Sequence, residues 1–226
     1  MLILNQSLGS PQYGLALDTT TTNLSIALSN FVEDTRSQTW HLGRDLSSQL
    51  HLHLNQILKP QTWSDLKFIA VAKGPGSFTS IRIGVVTART LAQQLQIPVY
   101  GISNLVAIAF AISVDLPENK LIAVQMDTKR EQVFGGVYQF TRSGECKIYL
   151  QDSTMDKDQW ERKLDQLNQP YELYKTANDS NQVIQSLLAI GKLQYQQEFK
   201  QPLGKEPVLI ENWAKVTPFY GQHPIK

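Results

Sequence analysis

Tyr13-Gly-Leu-Ala-Leu-Asp18 is an apolar run closed by an aspartate, the pattern of a buried strand. Leu24, Ile26 and Leu28 alternate with polar neighbours, which predicts a second strand with one solvent-facing side. Thr19 to Thr22 and Asn23 lie between the two, so the link reads as a hairpin with a hydroxyl-rich tip. A polar edge strand fits residues 31–40. The period then changes. Leu46, Leu50, Leu54, Ile57 and Leu58 share one helical stripe, with Asp45 placed to cap it and Pro60 just past its end. Phe68 to Ala72 reads as a short strand, Thr79 to Gln96 as a helix, Ile97 to Tyr100 as a strand, and Ser103 as the cap of a helix reaching Ser113.

After Pro117 the pattern begins again. Leu121 to Met126, Val133 to Phe140 and Lys147 to Leu150 read as strands, Asp156 to Leu167 as a helix, Tyr171 to Tyr174 as a strand and Asn181 to Tyr195 as a helix. Strand, strand, strand, helix, strand, helix thus recurs, as a repeat of element order rather than of residues. Hairpins alternating with helices imply α/β units with mixed sheets covered by helices. Two in tandem suggest the duplicated ribonuclease-H-like fold of the actin, Hsp70 and sugar-kinase superfamily. The expected subdomains are 13–115 and 118–213, with loose termini at 1–12 and 214–226.

Composition narrows the function only a little. Net charge is +1, so nothing drives the whole chain toward nucleic acid or an anionic membrane. Cys146 is the single cysteine, which excludes an intrachain disulfide. No apolar run approaches the ~18 residues of a membrane span, and the start lacks the basic region of a signal peptide.

The chemistry that a sequence can announce is mostly missing. Lys73-Gly-Pro-Gly-Ser77 sits between a strand and a helix, as a phosphate loop would. Yet Gly76 is followed by Ser77-Phe78-Thr79, without the Lys-Ser/Thr of a P-loop, and Thr79 stands where a dinucleotide fingerprint has its third glycine. What remains is a helix N-terminus with unpaired N–H groups, hydroxyls at Ser77, Thr79 and Ser80, and two glycines that admit close backbone approach. It is either a capped turn or a seat for an anion or a carbonyl. In the actin-like superfamily, a hairpin such as Asp18 to Thr22 faces nucleotide phosphates. The matching hairpin Met126-Asp-Thr-Lys-Arg130 has Asp127 but no glycine turn, and Gly191 and Gly204 occur singly where a pair would hold adenosine. His51 and His53 point about 200° apart on a helix, and neither His41 nor His223 stands at ligand spacing to another histidine. No metal, cofactor or nucleophile is expected.

One stretch is specific. AVAKGPGSFTSIRIGVVTARTLAQQLQIPVYGIS resembles the signature of the TsaB (YeaZ-like) family, relatives of TsaD proteins. The shared positions are Gly74, Pro75, Gly76, Ser77, Phe78, Thr79, Arg82, Ile83 and Gly84, then Ile97, Pro98, Gly101 and Ser103. Leu15 to Thr19, Met126 to Val133 and Glu206-Pro207 are similar to further parts of the family pattern. Ser80 stands for its usual glycine, Thr128 and Lys129 for Ala-Arg, and Leu46-Ser-Ser48 for a His-Ser pair, while the closing Tyr-Leu-Arg is absent.

The resemblance implies a cytoplasmic, non-catalytic subunit in the synthesis of N6-threonylcarbamoyladenosine on tRNA. Such a subunit binds a TsaD-type catalytic subunit, is joined by a TsaE-type ATPase, forms a homodimer in the absence of TsaD, and meets tRNA only through the complex. The turn at Gly74 to Ser77 would then aim a helix for protein contact. The rivals are an actin-like ATP-dependent kinase with a degenerate site, a zinc glycopeptidase and a nucleic-acid-binding module.

Helical angles locate the expected contact face. In the helix from Thr79, Ile81, Gly84, Val85, Ala88, Leu91, Ala92 and Leu95 span about 120° and should face the sheet. Ile83, Val86 and Thr90 lie outside that stripe, as Leu52 does on the preceding helix. These second faces either pack on each other within the chain or form one patch that docks a related fold. Arg82 lies near a helix N-terminus, where its charge opposes the dipole, so it is expected to pair with a carboxylate of this chain or of a partner.

Overall fold

A computed structural model describes residues 12–128, 131–176, 180–199 and 212–220. The family-like Lys129, Arg130 and Glu206-Pro207, and the termini 1–11 and 221–226, lie outside them.

The first half opens with β1 (Tyr13–Asp18), β2 (Asn23–Ser29) and β3 (Thr35–His41), followed by α1 (Leu46–Leu58) and β4 (Leu66–Ala72). It ends with α2 (Phe78–Leu95), β5 (Val99–Ile102) and α3 (Asn104–Ser113). The second half repeats β6 (Leu121–Asp127), β7 (Gln132–Phe140), β8 (Cys146–Asp156), α4 (Lys157–Asp165), β9 (Tyr171–Thr176) and α5 (Ser180–Phe199). The sheet orders correspond: β3-β2-β1-β4-β5 and β8-β7-β6-β9. In each, the first strand pairs antiparallel with the second and parallel with the strand that follows the helix. The chain is therefore the duplicated ribonuclease-H-like α/β fold expected from its element order.

Alternation on the central strands feeds two cores. Leu15 and Leu17 of β1, Leu24, Ile26 and Leu28 of β2, and Ile69 and Val71 of β4 join the buried stripes of α1 and α2. Ala16, Ala27, Phe68, Ala70 and Ala72 point the other way, into a core shared with α3, α5, β6 and β7. A smaller core beneath α4 is built on Trp160 and Leu164. The layers run α1/α2, first sheet, α3/α5, second sheet, α4. The division expected between residues 115 and 118 would fall in the link from α3 to β6, but one core spans both halves.

This layering corrects one expectation. The polar side of β2 is not solvent-facing: Ser25 and Ser29 are buried, because α5 from the second half lies across β1, β2 and β4. Their hydroxyls bond Thr39 and Thr35 of β3 at 2.8 and 2.6 Å. The short strand expected at Lys147 to Leu150 is likewise part of an eleven-residue β8, because its polar residues pair along the edge of β7.

Gly191 of α5, which the sequence left without an adenosine partner, has a packing role. A Cβ there would lie 2.8 Å from both Ala70 Cβ and Phe68 Cε2. The missing side chain lets α5 settle on β4. Gly191→Val is expected to lose about 1–3 kcal/mol by overpacking. The melting temperature should fall by roughly 2–4 °C per kcal/mol in calorimetry. An unchanged melting temperature would mean that α5 does not rest on β4 this closely.

Candidate functional site

The turn after β4 is a junction of four chain segments. The backbone N–H of Ser77 donates to the Thr20 carbonyl at 2.6 Å, so the carbonyl seated at the start of α2 belongs to the chain's own hairpin. A Cβ on Gly76 would lie 2.3 Å from that Thr20 oxygen, and one on Gly84 would lie 2.2 Å from Thr19 Oγ1. Thr19 Oγ1 in turn donates to the Ser80 carbonyl at 2.7 Å. On the other flank the N–H of Asn104, at the start of α3, donates to the Gly74 carbonyl at 2.9 Å.

The hydroxyl caps expected at α2 are not made. Ser77 is the N-cap residue, but its side chain receives Ser80 Oγ at 3.0 Å rather than a backbone N–H. Asp45 likewise precedes α1 without a side-chain cap bond, since a short 3-10 turn at Gly43–Asp45 leads into that helix. Ser103 does cap α3, accepting from Leu105 N at 3.1 Å.

The fourth segment is the one that sequence reasoning missed. Residues from 214 were expected to be loose, yet the chain is held as far as Tyr220. Trp213 Nε1 donates to the Ile97 carbonyl at 3.1 Å, Val216 is buried against Gly101, and Phe219 N–H donates to the Lys73 carbonyl at 2.6 Å. Gly74 has φ +111, and a Cβ there would lie 2.3 Å from the Phe219 carbonyl oxygen, so this glycine makes room for the strap. The signal was present: Trp213, Val216, Phe219 and Tyr220 are too apolar for a solvated tail.

Asp18 sits beneath the hairpin. Its Oδ1 accepts from Thr20 N at 2.8 Å and Thr20 Oγ1 at 2.7 Å, and Asn104 Nδ2 donates to that hydroxyl at 2.6 Å. Burial raises the Asp18 carboxyl above its usual value, against the lowering effect of the two Thr20 bonds. A cleft of about 320 Å³ opens beside the junction, lined by Lys73, Ser103, Gln151, Asp152, Gln194 and Phe219 among others. Asp152 there is buried and accepts from both Ser103 Oγ and Tyr138 OH. Among the described residues, no three metal-ligating side chains converge. His51 is exposed, while His53 is buried and stacked on Trp40 at 4.4 Å.

The outer helices leave three large apolar side chains uncovered. Gly74 and Pro75 are buried inside the junction, so neither offers contact surface as folded. Gly76, Ser77, Thr79 and Thr90 are exposed, and Ile83 is half-buried on the core beneath α2. Leu52 on α1 is 63% exposed, Val86 on α2 58% and Phe78 51%. α1 lies over β2 and β3, and α2 over β4, β1 and β5, so they are neighbours on one side of the sheet. Their second faces do not bury each other. Arg82 meets no carboxylate among the described residues. Its Nε donates to Tyr220 OH at 2.8 Å, and its guanidinium lies 4.1 Å from the centre of the Phe78 ring.

Comparison with known proteins agrees with the sequence signature. Residues 43–197 match the family model described as TsaD: tRNA N6-adenosine threonylcarbamoyltransferase. The chain is 35% identical over 163 residues to the tRNA threonylcarbamoyladenosine biosynthesis protein TsaB of Bacillus subtilis, covering 69% of this chain and 67% of the relative. It is 30% identical over 133 residues to the protein of the same name in Escherichia coli, covering 58% of this chain and 56% of the relative. Among solved structures, YeaZ from Pseudomonas aeruginosa superposes with a TM-score of 0.67 at 22% identity, covering 92% of this chain and all of that one. A second Pseudomonas aeruginosa structure, of a protein with similarity to peptidase YEAZ, gives a TM-score of 0.70 at 21% identity, covering 93% of this chain and all of that one. At these identities the two structures establish the shared fold.

The buried carboxyl gives a pH test. Because its value is raised on folding, the folded chain keeps this proton to higher pH than the unfolded chain, whose ordinary value is 3.8. Stability therefore declines as pH rises from there through the raised value, then levels off. Asp18→Asn keeps an acceptor for both Thr20 donors and has no proton to lose. Urea unfolding across pH should show the variant at least as stable at neutral pH and without this decline. A variant that follows the wild-type pH slope would place the charge-burial cost elsewhere.

Proposed function

The chain belongs to the TsaB family, and we propose that it takes part in tRNA threonylcarbamoyladenosine biosynthesis as a supporting subunit that binds a TsaD-type catalytic subunit rather than as the catalyst. The observation that carries this reading is the uncovered face of α1 and α2. Leu52 and Val86 are large, apolar and mostly exposed on adjacent helices of one layer. A fold that presents two neighbouring helices in this way can meet a related fold in pseudo-symmetric fashion, as isologous interfaces do. A specific interface needs ~800 Å² from each partner, an area two neighbouring helices can supply. The same face serves for pairing with a second copy when the TsaD-type subunit is absent. A TsaE-type ATPase joins the assembly, and tRNA is met through it.

The junction supports the non-catalytic part of the reading. A kinase of the actin-like kind needs hairpin hydroxyls and helix N–H groups turned toward phosphates. Here Thr19 bonds Ser80, Thr20 bonds Asp18, and Ser77 N–H bonds Thr20. Those donors are committed within the chain.

The test is co-purification with a TsaD-type subunit, followed by a tRNA modification assay on the mixture and on each protein alone. Activity is expected only with both present, and robust turnover by this chain alone would overturn the supporting role. Val86→Asp and Leu52→Asp each place a charge where water is excluded on docking. A penalty of ~2.8 kcal/mol already weakens binding about 100-fold. Both variants are expected to lose pairing in sedimentation while melting like the wild type, because neither side chain belongs to the core. Unchanged pairing would put the interface on another surface.

A further inference from the structure

The C-terminal strap does more than cover the glycine turn. Phe78, Arg82 and Val86 follow one another at four-residue spacing along α2, so they line one ridge of the helix. Tyr220 packs against the N-terminal end of that ridge. Its ring centre lies 4.3 Å from that of Phe78 and 5.6 Å from the Arg82 guanidinium, and its hydroxyl accepts from Arg82 Nε. Tyr220 is itself fixed, since the strap is tied at Trp213, Val216 and Phe219. Two rings and one hydrogen bond therefore hold an exposed cation still.

Two features say that this cation has outside work. It is the fifth residue of α2, where the helix dipole gives a positive charge no stabilisation. A guanidinium carries five N–H donors, and only the Nε–H has a hydrogen-bond partner among the described residues. The four donors on the terminal nitrogens form a flat fork, the geometry that fits a carboxylate with two parallel bonds. Holding such a side chain in place in advance lowers the entropy lost on binding, and arginine flanked by aromatic surface is typical of interface hot spots.

We propose that Phe78, Arg82 and Tyr220 form an arginine clamp at the end of the α1/α2 face, which takes a carboxylate of the docked TsaD-type subunit. This rests on the docking reading above and extends it to the strap, which becomes a limb of the interface. A protein carboxylate is favoured over a nucleic-acid phosphate by the surroundings. A nucleic-acid groove needs a row of cations. The exposed neighbours here are Phe78, Thr79, Val86 and Thr90, and Arg89, half-buried two turns along, is the one other cation on α2.

The experiment is calorimetric titration of the TsaD-type subunit with the full-length chain, at several salt concentrations, alongside thermal melts. Arg82→Ala and Tyr220→Ala should each weaken pairing about tenfold and flatten its salt dependence. The double variant should be little weaker than either single one, because the two residues act as a unit. Arg82→Lys keeps the charge without the fork and should recover only part of the loss. Val86→Asp is run beside them. If it abolishes pairing while Arg82→Ala and Tyr220→Ala bind like the wild type, the docking face stands and the clamp is refuted. If Val86→Asp also binds normally, the docking reading falls and the clamp with it. If Arg82→Ala pairs normally but the assembled complex loses tRNA affinity, the cation serves nucleic acid and the proposal is overturned.

Discussion

The site depends on how closely two backbones approach one another. The Thr20 carbonyl lies against Gly76 and receives the N–H of Ser77, a distance that no side chain at position 76 would allow. From this contact the geometry spreads outward. Gly84 lets Thr19 reach across to α2, and Gly74 lets the strap reach across to β4. Asn104 ties the start of α3 to the same turn. One turn thus fixes the hairpin, two helices and the C-terminal strap relative to each other. The glycines are needed here for approach more than for flexibility.

That closure has a chemical consequence. A helix N-terminus has unpaired donors and a partial positive charge, and in a phosphate loop both are left for the ligand. Here one donor of the turn, the Ser77 N–H, is taken by a neutral carbonyl of the same chain. The buried aspartate below is satisfied by Thr20 and held toward its neutral form by burial. The hairpin and the turn thus bond each other, Thr19 donating to Ser80 and Ser77 to Thr20.

Much of this was legible in the residues. The apolar runs of β1 and β4, the alternation in β2 and the stripe on α1 predicted those elements, and the repeated element order predicted two matching sheets. The off-stripe positions of Leu52 and Val86 placed them away from the sheet but left open whether the two helices pack on each other there; in the fold both are mostly exposed. What could not be read was anything set by distant chain. Ser25 and Ser29 look like the wet side of an edge hairpin, and only α5, about 160 residues later, buries them. The hydroxyls at Ser77 and Ser80 look like caps, yet in the fold Ser80 Oγ donates to Ser77 Oγ instead. Arg82 called for a partner, and local sequence could not reveal that Tyr220 of the C-terminal strap would supply one.

Exposed apolar side chains are ordinary one at a time, and Leu52 or Val86 alone would call for no explanation. Their position relative to the closed junction is what gives them meaning. The turn, the hairpin and the strap hold α2 at its N-terminal end, and the sheet holds it along its buried stripe, so its outer face cannot turn inward. The neighbouring α1 is pinned in the same way by Leu46, Leu50, Leu54 and Leu58. Two helices held in this way present apolar residues that no other described part of the chain buries. A second folded surface can bury them, and rigidity of this kind lets it do so without reordering the backbone. The turn at Gly74 to Ser77 and the exposed face of α2 are thus two results of one arrangement: the contacts that fix the hairpin, the strap and α2 also leave Phe78 and Val86 facing outward.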